Sequence, residues 1–94
     1  MPDRKKLKVG DKIRILRVPL DDVNQRRREI ANNINDAGWT ANTIELIIAQ
    51  NPIVEIDSID DFGQPWFTSN ILVNGKIETH NLAVNEDDSW GNVR

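Results

Sequence analysis

The chain has no cysteine and no tyrosine, and its 94 residues include one histidine and one methionine. Without cysteine there is no disulfide framework, no thiolate metal site and no cysteine nucleophile, a composition that suits a reducing compartment. With one histidine, His80, any triad or imidazole general base must run through that residue. His80 lies between Thr79 and Asn81 in a strand-like segment, where spacing alone supplies no serine or carboxylate to activate it, so it reads as a wall residue of a sheet. The five glycines are scattered singly, which excludes a glycine-rich loop that cradles phosphate. No apolar run approaches the roughly 18 residues of a membrane span. The basic start MPDRKKLK is not followed by an apolar segment long enough for a signal peptide. A cytoplasmic protein with no membrane partner is expected.

A chain of this length is expected to form one domain, 1–94, able to bury about two thirds of its unfolded surface. Residues 1–6 read as a flexible polar tail. The segment Ile53 to Val84 carries the clearest local signals. Ile53, Val54, Ile56 and Ile59 roughly alternate with Glu55, Asp57 and Ser58, and the turn cluster Asp60-Asp61-Phe62-Gly63-Gln64-Pro65 then reverses the chain. Trp66 to Val73 is aromatic and β-branched, and Asn74-Gly75 directly after it is the pair best suited to a type I′ hairpin turn. Ile77 to Val84 completes the hairpin.

Upstream, Leu7 to Val18 is the first strand region, with Gly10-Asp11 as a turn or bulge. Ile13 and Ile15 alternate with Lys12, Arg14 and Arg17, and Pro19 ends the strand. From Asp21 the period becomes helical. Asp21 or Asp22 as N-cap, the spacing of Val23, Ile30, Ile34 and Ala37, and Gly38 as a left-handed C-terminal residue predict a helix over about 22–36. Thr40 is a second N-cap candidate, and Ile44, Ile47 and Ile48 follow at helical spacing to Asn51-Pro52. The run TIELIIA is also β-branched, so a strand over 40–50 is the alternative. Trp90 to Arg94 reads as a short closing strand.

The run Gly10-Asp11-Lys12-Ile13-Arg14-Ile15-Leu16, the pair Trp66-Phe67 opening a central strand, and the polar turn before Trp90-Gly91-Asn92-Val93 together resemble an SH3-like small barrel. The resemblance implies a mainly β, α+β fold: a five-stranded antiparallel barrel with a two-helix insertion, residues 20–51, after the first strand. Peptide-binding SH3 domains line their groove with tyrosine among other aromatics. This chain has none, so recognition of proline-rich peptides is not implied. The pattern is also similar to that of a group of small bacterial proteins without assigned activity, which adds no function.

Charge is divided along the chain. Residues 1–28 hold ten of the twelve Lys and Arg against four acids, and residues 29–94 hold two against eleven. Such asymmetry marks either an interaction surface or two halves that neutralise each other in the fold. The candidate protein contacts are the boundary aromatics Phe62, Trp66 and Trp39 and the acidic loop Glu86, Asp87 and Asp88, which suit a basic protein partner. Phe62, at a turn tip, is the aromatic expected to be exposed. The alternative is RNA or ribonucleoprotein binding by a basic stripe of Arg4, Lys5, Lys6, Lys12, Arg14 and Arg17. Arg26, Arg27 and Arg28 spread over about 200° of a helix and form no focused patch. Neither acidic cluster, Asp57/Asp60/Asp61 or Glu86/Asp87/Asp88, has EF-hand spacing. No cofactor, metal or enzymatic activity is expected.

Overall fold

The computed structural model describes residues 3–93. It contains a 3₁₀ turn at Arg4–Lys6, then β1 (Lys12–Ile15), α1 (Leu20–Ala31), α2 (Trp39–Gln50), β2 (Ile53–Ile59), β3 (Pro65–Val73), β4 (Lys76–Ala83) and β5 (Trp90–Asn92). The five strands form an antiparallel sheet in the order β4-β3-β2-β1-β5.

β2 is shared between two ladders. Its first half pairs with β1, Val54 facing Ile13, and its second half pairs with β3, Ile56 facing Phe67. The register slips between Ile56 and Ser58, and such a bulge bends a strand and increases its twist. The sheet therefore curls around one apolar side. Ile13 and Ile15 of β1, Val54 and Ile56 of β2, Phe67 and Ile71 of β3 and Trp90 of β5 are buried there, together with Leu7 and Val84. The five expected strands are all present, and Asn74 (φ 52°) and Gly75 (φ 81°) make the left-handed hairpin turn that their identities demand.

The expected closed barrel is not formed: β4 and β5 are the two edges of an open sheet. β5 has three residues and pairs with β1 alone, so no ladder reaches β4. The first strand is also shorter than the expected 7–18 region. Gly10 (φ 96°) turns the chain before it, and after Ile15 the N–H groups of Leu16 and Arg17 both donate to the Ser89 carbonyl. Arg94, at the end of the predicted closing strand, lies outside the described residues.

Both helices differ from their predicted bounds. α1 begins at Leu20 with Pro19 as N-cap, and the Pro19 carbonyl accepts from the N–H groups of Asp22 and Val23. Asp21 and Asp22 thus occupy the first turn, near the positive end of the helix dipole. α1 stops at Ala31, short of 36. The Asn32 side chain donates to the Arg28 carbonyl at 2.9 Å and Asn33 takes φ 55°, so asparagines end the helix early. Gly38 does not terminate α1; it is the left-handed N-cap of α2 (φ 72°), and Thr40 lies inside that helix. Residues 40–50 are helix, not strand.

α2 covers the sheet with buried Ala41, Thr43, Ile44 and Ile47, whereas α1 buries no residue. Ile30 and Ile34, expected in an apolar stripe, are 61% and 52% exposed. Polar contacts hold α1 to the start of α2: Arg26 reaches Asn42 and Glu45, and Glu29 accepts the Gly38 N–H at 3.0 Å. At the far end of α2, the Gln50 amide exchanges two hydrogen bonds, 2.8 and 2.9 Å, with the backbone of Leu72. The pairing of β2 with β3 ends at Phe67, so Leu72 is not reached by β2.

A Cβ on Gly38 would land on the Arg26 side chain, while one on Gly10 would meet nothing. Both residues have positive φ, which costs an L residue about 1–2 kcal/mol. Gly10→Ala is expected to destabilise by about that amount. Gly38→Ala should cost at least about 1 kcal/mol more, because Arg26 must leave Glu45 and Asn42. Urea unfolding of the two variants measures the difference, and equal losses would show that the α1–α2 contact does not depend on this close approach.

Candidate functional site

The sequence-derived candidates do not form one patch. Within the segment read as a tail, Arg4–Lys6 form the 3₁₀ turn; Met1 and Pro2 lie outside the described residues. Asp3 caps the 3₁₀ turn by accepting the Lys5 N–H at 2.9 Å. The Arg4 guanidinium donates to the Val84 carbonyl at 3.1 Å and meets Glu86 at 3.4 Å. Chain start, β4–β5 loop, β2–β3 turn and α1 start thereby meet at one end of the sheet, around a recess lined by Arg4, Leu20, Asp21, Gln64, Asn85, Glu86 and Asp87.

The β2–β3 turn is braced by one carboxylate. Asp60 Oδ1 accepts from the N–H groups of Phe62 and Gln64, and Oδ2 accepts from the Trp66 indole Nε1, all at 2.9 Å. These donors, the indole first, hold the Asp60 carboxyl below its ordinary 3.8. On this rigid turn Phe62 is 95% exposed, as the sequence predicts. Trp66 is half-buried with its polar edge occupied by Asp60.

Trp39 stands apart, 56% exposed on α2. Its ring lies edge-on to His80 with centroids 5.1 Å apart. His80 is buried in β4, and its Nε2 is 3.1 Å from Glu78 Oε1, a carboxylate partner that the sequence reading missed. Glu78 precedes His80 by two residues on one strand, the spacing that puts side chains on the same face, so the signal was available. Ser69 is the register partner of His80 across the ladder. Among the described residues no hydrogen bond links its hydroxyl to the imidazole.

The acidic loop is divided among separate tasks. Glu86 holds Arg4, Asp87 caps the Ser89 N–H at 2.9 Å, and Asp88 pairs with Arg17. Arg17's hydrogen bond and charge hold the Asp88 carboxyl below its ordinary range. The basic stripe is divided likewise. Arg4 and Arg17 are engaged by acids, leaving Lys5, Lys6, Lys12 and Arg14 as exposed charge without an ion pair among the described residues. With Arg26–Glu45, three of the ten bases of the first 28 residues pair with a later acid, so the two halves neutralise one another in part.

A second cavity, of 240 Å³, lies between the helices and the sheet and extends to Trp66, Asn85 and Ser89. Asp22 is the carboxylate in its lining. Burial, then the nearby charges of Asp21 and Asp87, push the Asp22 carboxyl above its ordinary 3.8. Sequence spacing marked Asp22 only as a helix cap and gave no sign that α1 would turn it toward this space.

Among the described residues no group of three or more histidine or acidic side chains is gathered to hold a metal ion. No helix among the described residues is long and apolar enough to cross a membrane. The chain matches no family model, no curated protein and no solved structure.

The carboxyls have opposite linkage signs. Asp60 and Asp88, lowered on folding, contribute stability that is present above 3.8 and lost as pH falls through their folded values. Asp22, raised on folding, contributes stability below 3.8 that is lost as pH rises through its folded value. Carboxyl NMR titration should therefore find Asp60 and Asp88 below 3.8 and Asp22 above it. Trp66→Phe should move Asp60 upward and leave Asp88 unchanged.

Proposed function

We propose that the chain is a non-catalytic, cytoplasmic protein-interaction module on an SH3-like fold left open between β4 and β5, with its two-helix insertion after the first strand. The fold reading is supported by the order β4-β3-β2-β1-β5 with β2 shared between two ladders. The functional reading is carried by Phe62. An almost fully exposed phenylalanine on a turn immobilised by three hydrogen bonds to Asp60 is preorganised apolar surface, which loses little conformational freedom on binding. The acids of residues 29–94 outnumber the bases eleven to two, so the complementary partner surface is basic. Nucleic-acid binding through the basic stripe is disfavoured by the engagement of Arg4 with Glu86 and Arg17 with Asp88.

Affinity capture with the intact chain from its native lysate is expected to retain a basic protein in stoichiometric amount. Phe62→Ala should weaken that retention tenfold or more, with the fold unchanged because the side chain is exposed. Salt-sensitive retention of RNA instead, abolished by Arg14→Glu, would replace this reading with the nucleic-acid one.

A further inference from the structure

The 240 Å³ cavity is walled mainly by apolar side chains. Six of its walls are apolar side chains from four strand regions and a helix: Ile15, Ile44, Phe67, Leu82, Val84 and Trp90. Most of these also belong to the hydrophobic core. A dry apolar cavity of about 150 Å³ already admits benzene, so this one has room for a small organic molecule, and its lining offers water few partners.

The charged groups in the lining decide which molecule. Arg17 is engaged by Asp88. Asp22 meets no cation and accepts no hydrogen bond from a side chain among the described residues. The neighbouring recess adds Asp21 and Asp87, close enough to repel the Asp22 charge. The start of α1 gives this half-buried carboxylate a favourable dipole but no counter-ion, and a cation that brings its own hydrocarbon would offset the repulsion from Asp21 and Asp87 while filling the apolar walls.

We propose that this cavity binds a small aliphatic ammonium, its hydrocarbon stem among the apolar walls and its charge against Asp22. Neutral apolar ligands fill the same space without meeting the carboxylate, and anions are repelled by it. The same chemistry comes from two sources, a free alkylamine or a lysine side chain presented by a protein. The site is independent of the Phe62 surface, so either can fail alone.

The test is a titration of the full isotopically labelled chain at neutral pH, following the indole N–H resonances of Trp66 and Trp90. The probes are hexylamine hydrochloride, 1-hexanol, ammonium chloride and N-acetyl-lysine methylamide. Hexylamine should give saturable shifts of both indoles, with hexanol at least tenfold weaker and ammonium chloride without effect. Asp22→Asn should reduce hexylamine affinity to that of hexanol while leaving hexanol unchanged. Ala83→Leu, which fills the cavity, should abolish both. Saturation by the blocked lysine as well would assign the ligand to a protein side chain, and saturation by hexylamine alone would assign it to a free amine. Equal affinity for hexylamine and hexanol, indifference to Asp22→Asn, or no saturation up to about 10 mM would each overturn the proposal.

Discussion

The division of β2 between two partners is the constraint from which the rest of this molecule follows. A straight seven-residue strand would pair with β1 and β3 along its whole length and give a flat sheet with two open faces. Because the register slips after Ile56, the first half of β2 belongs to β1 and the second to β3, and the sheet turns its apolar residues toward a common side. That side is too wide for the strands to cover, and α2 is laid across it with Ile44 and Ile47 pointing inward. The helices occupy the connection between β1 and β2, which are neighbours in the sheet, so their insertion leaves strand order undisturbed.

Electrostatics closes what hydrogen bonding leaves open. The ladder does not join β4 to β5, yet the chain between them is anchored from both sides by arginines of the early sequence. Arg4 holds Val84 and Glu86, and Arg17 holds Asp88. These pairs are exposed, and each contributes little alone. Their effect is positional, because together they fix the loop that frames both recesses. Part of the uneven charge of the linear sequence is thus taken up inside the fold, by Arg4, Arg17 and Arg26, and the rest stays on the surface.

Much of the sheet was legible because its signals are local. Asn74-Gly75 fixes a hairpin by its own backbone preferences, and the Asp60 to Pro65 cluster fixes a turn from which Phe62 must project. Helix existence was legible for the same reason, from apolar spacing, but helix ends were not. α1 stops where Asn32 and Asn33 satisfy the backbone locally, and Gly38 serves the following helix instead of the preceding one. Barrel closure failed for a non-local reason, since β5 pairs with β1 alone and no ladder joins it to β4. The cavity lay furthest from view. Asp22 carries a clear local signal, that of a helix start, and its second position beside the sheet comes from the packing of α1 on α2 through Arg26 and Glu29.

The amide of Gln50 has a further consequence. By meeting both the N–H and the carbonyl of Leu72, it occupies the hydrogen-bonding positions that another strand would take at the part of β3 abandoned by β2. A strand end of that kind, flanked by exposed Leu72 and Ile77, is a template for growth by addition of neighbouring chains. Gln50 acts as a one-residue stopper on that template, so a side chain at the end of a helix helps to keep a curled sheet from recruiting copies of itself.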